Sequence, residues 1–322
     1  MDFGFIEKNI LVKGKFDLEA TIAIPQDAGN RLPAIIFVSG TGVADRDGNI
    51  PKQKFNMNIY KNLSDFFAKM GFVTLRYDKR GVGKSGGSHL ETSLFDLVDD
   101  LISNVEYLEQ QEFVDKNKII VCGHSEGCIV TTIANQRHPA TGLILIAGAG
   151  MSLYSALKYQ NYLVLQEIIN MKGFKGWFYR KFINQNNYLN NVNKMFKRAC
   201  GTEKDIIKLQ GMKIPAKWTR EHAQYTDKIL TDAIVDAGCP ILAITGDKDV
   251  QAPPSDIARL AMLHQDKITA ILIHNMSHIL RGFGGEFDML TLSKQYKKDL
   301  EKPLHPMLLE ELKHWVTYNF MK

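Results

Sequence analysis

Cysteine is scarce in this chain of 322 residues, and the arrangement of the few that it has excludes two kinds of site. None of them forms a C-x-x-C pair or stands beside paired histidines, so the sequence predicts neither a structural zinc site nor a disulfide framework. We expect reduced, buried thiols instead. The cysteines are Cys122, Cys128, Cys200 and Cys239.

Long apolar runs are scarce as well, and no leader segment is expected. The first residues, Met1 to Lys8, lack the basic-then-apolar layout of a signal peptide, and no uninterrupted apolar run reaches the length of a membrane span. The formal net charge is only +5, and no cluster of Lys and Arg resembles a nucleic-acid-binding arm. We therefore expect a cytoplasmic protein that binds neither nucleic acid nor membrane.

The composition is ordinary for a globular enzyme, with 45% apolar and 23% charged residues. The length allows one large core with an insertion, or two domains. Short apolar runs alternate with amphipathic helical stretches, which is typical of an α/β fold with a mostly parallel sheet covered by helices on both faces. An antiparallel edge is expected from the first thirty residues. The predicted central strands are 33–38, 72–77, 119–122, 142–147, 240–245 and 269–273.

The most informative stretch, Lys118 to Val130, reads KIIVCGHSEGCIV. An apolar strand runs into a G-x-S-x-G turn, with Gly123 and Gly127 on either side of Ser125, and a helix follows. Such a strand-to-helix turn exposes the serine at its apex and aims the first N–H groups of the helix at an anion that forms there. The spacing alone is a weak pattern, and a Gly-rich connection is the alternative. Its position between strand and helix favours a nucleophile elbow.

A serine hydroxyl is a poor nucleophile until a histidine, oriented by a carboxylate, takes its proton. The order serine, acid, histidine is expected at the carboxyl ends of successive strands, which meet at one edge of the sheet. Asp249 and His278 occupy such positions. Asp247 and His274 are the alternatives, but Asp247 is better explained as stabilising its own turn, and His274 ends its strand and could point into the core or its rim. The predicted triad is Ser125, Asp249 and His278.

The tetrahedral intermediate of acyl transfer also needs two N–H donors. The backbone of Glu126, directly after the nucleophile, is the first candidate. The second is Thr41, in the loop after strand 33–38, where Gly40 and Gly42 allow close approach of the backbone or simply form a tight turn.

Two polar clusters near these loops are given structural roles. Residues 78–85, DKRGVGKS, resemble a phosphate-binding loop, but Asp78 stands where that motif needs a glycine, so no nucleotide site is expected. Four charged side chains of this loop and of the polar stretch 45–49 are interpreted as partners in ion pairs that brace the loops. They are Asp45, Asp47, Asp78 and Arg80.

Together these motifs make the chain similar to serine hydrolases of the α/β-hydrolase superfamily, especially bacterial carboxylesterase-like members. Residues 39–49 resemble the S-G-x-G-x-x-D-R-D-G-N stretch of that group, and residues 76–87 resemble its R-Y-D-K-R-G-x-G-x-S signature. Residues 123–127 match its elbow. The similarity covers roughly 16–149 and 236–322.

The resemblance implies an α/β-hydrolase fold and the hydrolysis of a small carboxylic ester through an acyl-enzyme, with no cofactor. An acyl-CoA thioesterase or an aminopeptidase would use the same machinery, although no acidic residue stands out to hold a substrate's amino group. A non-catalytic binding protein could also retain the fold. Val43 replaces a common proline, and Cys128 replaces a second elbow glycine. Both differences affect the expected shape of the acyl pocket rather than the chemistry.

Residues 150–235 interrupt the alternation with helical stretches that are rich in aromatic residues and contain no convincing strand. We therefore divide the chain into a core of 1–149 and 236–322 and a helical insertion. The insertion carries 14 Lys and Arg against 6 Asp and Glu, a net charge of +8, which leaves −3 for the rest. Because both junctions lie beside the catalytic edge, we expect a lid whose aromatics line the acyl pocket. A helical cap packed on the core is the alternative.

Overall fold

The structure, a computed structural model, describes residues 2–182, 188–209, 211–263 and 266–321. The strands within these ranges are β1 (Phe5–Val12), β2 (Leu18–Pro25), β3 (Leu32–Val38), β4 (Asn49–Ile50), β5 (Phe55–Asn56), β6 (Val73–Tyr77), β7 (Val114–His124), β8 (Gly142–Ile146), β9 (Ile206–Leu209), β10 (Met212–Pro215), β11 (Ile241–Gly246) and β12 (Ile268–Ile273).

Eight of these strands form the central sheet, in the order β1-β2-β6-β3-β7-β8-β11-β12. The first two pairings, β1 with β2 and β2 with β6, are antiparallel, and every pairing from β6 to β12 is parallel. The predicted α/β fold, its antiparallel edge and its six central strands are thus confirmed.

Helices cover both faces of the sheet. Their bounds are α1 (Ile59–Lys69), α2 (Leu94–Glu109), α3 (Glu126–Arg137), α4 (Leu153–Asn170), α5 (Gly173–Phe182), α6 (Asn191–Cys200), α7 (Ala216–His222), α8 (Asp227–Val235), α9 (Ser255–Ala261), α10 (Leu292–Asp299) and α11 (Pro306–Phe320). Sequence signals explain some of the boundaries: Ser93 and Asp96 form a capping box at the start of α2, and Pro306 opens α11. Within the described ranges, no helix is both long and apolar enough to cross a bilayer.

The apolar core lies in two layers because side chains of each buried strand alternate between the faces. In β3, Ile36 packs in the cluster formed with α2, α3 and α8, whereas Ile35 and Phe37 pack in the opposite cluster with α1 and α11. Strands buried on both faces read as continuous apolar runs, which is why the sequence located them well.

The expectation that residues 150–235 contain no strand is wrong. Strands β9 and β10 form an antiparallel hairpin there, with Ile207 opposite Ile214. Its β-branched residues favour extended backbone, and Gly211 adopts the positive φ of 81° that its turn requires. The division into core and insertion stays a prediction, and residues 183–187 and 210 of the insertion lie outside the described ranges.

Candidate active site

Ser125 lies at the apex of the turn between β7 and α3. Its φ of 57° and ψ of −123° are a strained backbone conformation for a residue with a side chain. The turn leaves no room for larger neighbours: a β-carbon on Gly123 would overlap the carbonyl of Gly127, and one on Gly127 would overlap the carbonyl oxygen of Val38. The side chain of Ser125 is partly exposed. The elbow geometry expected from the G-x-S-x-G spacing is therefore present.

Asp249 and His278 form a buried pair near this serine. Nδ1 of His278 lies 2.8 Å from Oδ2 of Asp249 and 3.1 Å from Oδ1. The carboxylate is held from behind, because Oδ1 also accepts the N–H groups of Gln251 and Ala252, each at 2.8 Å. Asp249 is 2% exposed and His278 is 6% exposed. This arrangement fixes the imidazole and stabilises positive charge on it.

The alternative residues, Asp247 and His274, form a second pair that faces solvent. Nδ1 of His274 lies 2.5 Å from Oδ2 of Asp247, and the histidine side chain is 80% exposed. The expectation that His274 points into the core or its rim is wrong. Asp247 does not stabilise its own turn either, since Oδ1 accepts the N–H of Asn275 in the loop after β12. The pair therefore joins two loops at the surface.

The two candidate oxyanion donors are placed beside the serine. Gly40 packs so closely that an added β-carbon would lie 2.9 Å from Cβ of Ser125, and Thr41 follows it. As the first residue of α3, Glu126 has an N–H without an acceptor inside the helix. Among the hydrogen bonds of the described residues, none uses the N–H of Thr41 or of Glu126. Both groups are thus available to an anion.

The side chain of Glu126 has a role that the sequence did not indicate. Its Oε1 accepts from Nε1 of Trp218 at 2.6 Å and lies 3.1 Å from Nε2 of His222, while Oε2 lies 3.9 Å from Nζ of Lys79. Burial alone would raise the pKa of Glu126, but the bond to His222, the charge of Lys79 and the bond to Trp218 hold that pKa at about 2. An ionised carboxylate therefore ties α7 to the elbow.

A buried hydrogen-bonded chain links the loops around the serine. His124 lies 3.0 Å through Nδ1 from the hydroxyl of Tyr60 and 3.0 Å through Nε2 from the carbonyl oxygen of His278. Burial, together with the nearby His278, lowers the pKa of His124 to about 3, so this imidazole is neutral. His124 was within the elbow motif, but no local signal pointed to Tyr60.

Ser125 and His278 open onto one cavity of about 360 Å³. Its apolar lining consists of Ala44, Ile50, Met57, Ile129, Met151, Leu153, Ala156, Leu157 and Ile279. Among the described residues, no group of three His, Cys, Asp or Glu side chains is arranged to hold a metal ion. The cavity can therefore receive a small, largely apolar molecule next to a serine, a histidine and two free N–H groups.

The predicted insertion contributes one wall of this cavity. Leu153, Ala156 and Leu157 of α4 line it, together with Trp218 of α7. The expectation that the aromatics of the insertion line the pocket is largely wrong, because Trp218 is the one described aromatic residue of the insertion that does so. Helix α5, which carries several of the others, faces solvent, and its Phe174 is 76% exposed. No described residue of α5 is among those that line the cavity.

Ion pairs connect the polar loops near the site, as expected for Asp47, Asp78 and Arg80. The pairs are Arg46–Asp78 at 3.0 Å, Arg76–Asp47 at 2.6 Å and Arg80–Asp96 at 2.5 Å. Asp45 differs, because its carboxylate accepts backbone N–H groups of Asp47 and Asn49 and thereby stabilises its own turn.

Residues 56–282 match the family described as serine aminopeptidase, S33. Esterase EstD of Thermotoga maritima is 29% identical over 157 residues, which are 49% of this chain and 36% of that protein. The match thus spans little more than a third of the relative's length.

Solved structures show the same fold. The α/β hydrolase GrgF of Penicillium sp. sh18 has a TM-score of 0.60 at 15% identity, with 98% of this chain and 100% of that chain covered. Est1E of Butyrivibrio proteoclasticus, solved with ferulic acid bound, has a TM-score of 0.57 at 16% identity, with 94% and 99% covered. At such low identity these likenesses concern the fold, and they confirm the predicted α/β-hydrolase architecture.

Proposed function

The chain belongs to the serine aminopeptidase, S33, family, and from this membership and the geometry around Ser125 we propose a serine hydrolase that cleaves carboxylic esters through an acyl-enzyme. One observation carries the proposal: a serine at a strained elbow and a histidine bonded to a buried aspartate line the same cavity. The relative named as an esterase supports the choice of ester over other acyl substrates.

In the proposed reaction, Nε2 of His278 takes the proton of the Ser125 hydroxyl as Oγ attacks the ester carbonyl. Asp249 keeps the other ring proton on Nδ1 and stabilises the imidazolium. The N–H groups of Thr41 and Glu126 hold the oxyanion of the tetrahedral intermediate. Its collapse expels the alcohol, which takes the proton from His278. Water then repeats the sequence on the acyl-enzyme and releases the acid, so the reaction needs no cofactor.

An aminopeptidase activity is the second candidate, because the family carries that description. Such an enzyme needs a carboxylate for the amino group of its substrate. Among the described residues that line the cavity, Glu126 is the one carboxylate, and Trp218, His222 and Lys79 already surround it. This engagement favours esters. If the enzyme cleaves aminoacyl nitroanilides faster than matching esters that have no charged amino group, the aminopeptidase assignment replaces the esterase one.

An acyl-CoA thioesterase is the third candidate, since the net charge of +8 on residues 151–235 is suited to an anionic substrate.

We propose that the insertion acts as the lid of the site, with α4 and Trp218 as the wall that shields the acyl-enzyme from bulk water. The cytoplasm is the proposed compartment, which four free thiols support.

The proposed function is tested by replacing Ser125 with alanine. The substitution should lower ester hydrolysis by several orders of magnitude while leaving the melting temperature nearly unchanged, because the partly exposed hydroxyl contributes little packing. A panel of esters with varied acyl chains should be assayed on both proteins. If Ser125→Ala retains more than a tenth of the wild-type rate, the assignment is wrong. No labelling of folded protein by a serine-directed phosphonate would favour a binding protein.

A further inference from the structure

Gly40, two residues after β3, has both polar groups of its backbone bonded to buried side chains. Its N–H donates to Oη of Tyr60 at 3.0 Å, and its carbonyl oxygen accepts from Nζ of Lys79 at 2.5 Å. Tyr60 and Lys79 are each 5% exposed. Because Gly40 also packs on Ser125, a segment in contact with the nucleophile is held from two sides by other parts of the fold.

The carbonyl that Lys79 binds belongs to the same peptide group as the N–H of Thr41. In a planar trans peptide the C=O and the N–H point in opposite directions, so a bond that fixes one also aims the other. An ammonium on the oxygen also polarises the amide and strengthens its N–H as a donor. Resting on the function proposed above, we infer that Lys79 is a positioning residue of the oxyanion hole, which orients and polarises the Thr41 N–H while Tyr60 holds the preceding peptide.

The direction of each hydrogen bond on the Tyr60 side follows from its partners. A carbonyl oxygen can only accept, so Nε2 of His124 donates to the carbonyl of His278, and Nδ1 is left as an acceptor. The hydroxyl of Tyr60 must then donate to Nδ1, which leaves its oxygen free to accept the N–H of Gly40. The chain thus connects the proposed oxyanion loop to the loop that carries the proposed base.

Burial lowers the pKa of Lys79, and the ionised carboxylate of Glu126 opposes this shift and favours the ammonium. The charge of Lys79 has a second effect in the same direction. Glu126 is ionised, and its carboxylate is buried on the residue whose N–H is the other proposed donor. An uncompensated negative charge there would oppose the oxyanion of the intermediate. Nζ of Lys79, 3.9 Å from Oε2, offsets it. Removing the ammonium should therefore destabilise the transition state more than the bound ester.

A role confined to bracing the loop predicts a different result. Loss of a brace lowers stability, and it raises KM if the cavity deforms, but it does not act selectively on a bound oxyanion. A trifluoromethyl ketone distinguishes the two roles, because attack by Ser125 turns its carbonyl into an oxyanion-bearing adduct. The inhibition constant of an ether analogue of the ester reports binding of the ground state, because the ether is uncharged and has no carbonyl for Ser125 to attack.

The experiment measures kcat, KM and both inhibition constants for Lys79→Met and Tyr60→Phe. We expect kcat to fall about 10- to 100-fold and KM to stay nearly unchanged. This decrease in kcat is no larger than the one that follows removal of an oxyanion-hole donor itself, about 10²- to 10³-fold. Affinity for the ketone should fall by the same factor, and affinity for the uncharged ether should not. The matched control is Lys118→Met, because Nζ of Lys118 also donates to a backbone carbonyl, that of Phe320, and neither residue lines the cavity. This variant should behave as wild type.

Wild-type affinity for the ketone in folded Lys79→Met overturns the inference. Lys79→Met leaves the buried carboxylate of Glu126 without its cation, which can prevent folding. Glu126→Gln and the double variant are therefore made as well. If Lys79→Met costs nothing in the Glu126→Gln background, the lysine acts only by neutralising Glu126, and the peptide role is wrong. If the ketone fails to modify Ser125 of the wild type, it is the proposed function that fails.

Discussion

The two aspartate–histidine pairs offer an internal comparison of the proposed acid with a surface counterpart. In Asp249→Asn, the amide oxygen should take the position of Oδ1, because the N–H groups of Gln251 and Ala252 point there. The NH₂ group then replaces Oδ2 and donates to Nδ1 of His278. The ring proton must move to Nε2, which removes the lone pair that would accept the proton of Ser125.

The size of the loss follows from this wrong tautomer. We expect kcat/KM for a neutral ester to fall about 10³- to 10⁴-fold, as an amide does at the equivalent position of a serine-histidine-aspartate site. That factor corresponds to about 4 to 5.5 kcal/mol of transition-state stabilisation. Asp247→Asn should change kcat/KM less than about fivefold, because its partner His274 is exposed and such pairs contribute about 1 kcal/mol or less.

The assay is ester hydrolysis by both variants at one pH, with circular dichroism and melting temperature as folding controls. Equal losses in Asp247→Asn and Asp249→Asn would refute the assignment of the acid. So would an Asp249→Asn enzyme that is folded and keeps more than a tenth of the wild-type kcat/KM.

The other predictions concern the elbow, the buried histidine and the insertion. Gly127→Ala should lower the free energy of unfolding by about 2 kcal/mol or more, since its β-carbon would overlap the backbone of Val38; urea titration should show no such loss for Gly284→Ala, where the space is open. The pKa of His124 is about 3 in the native state, whereas in the unfolded chain it is near 6.5. Its contribution to the free energy of unfolding should therefore decline as pH falls from 6.5 to 3, by up to about 1.4 kcal/mol per pH unit. His124→Asn should remove that slope, and an unchanged slope in denaturation curves at several pH values would refute the neutral assignment. If the insertion steers anionic substrates, kcat/KM for an acyl-CoA should fall as ionic strength rises while that of a neutral ester stays constant; parallel salt curves would exclude steering.

The parts of the fold that the sequence predicted are those with a local cause. Buried parallel strands read as apolar runs, and the elbow needs glycines at fixed spacing, so Ser125 and the edge that it shares with Asp249 and His278 could be located in advance. Short strands such as β9 carry too little periodicity to be separated from loops.

The contacts that distinguish the site depend on tertiary structure. Tyr60 and His124 are far apart in sequence, and nothing near either residue indicates that they meet. In the sequence, Lys79 appeared only within the stretch that resembles the R-Y-D-K-R-G-x-G-x-S signature. Its bond to Gly40 arises because β3 and β6 are neighbours in the sheet. The exposure of His274 and of the α5 aromatics likewise follows from where loops turn, which residue type alone does not specify.

The central claim, nucleophilic attack by Ser125, is tested most directly by titrating the wild-type protein with a fluorophosphonate. Ester hydrolysis and the extent of modification should be followed together, and the adduct located by peptide mass spectrometry. We predict that activity disappears in proportion to labelling, that one adduct forms per chain, and that it lies on Ser125. Activity that persists after Ser125 is fully modified, or inactivation by an adduct on another residue, would contradict the claim.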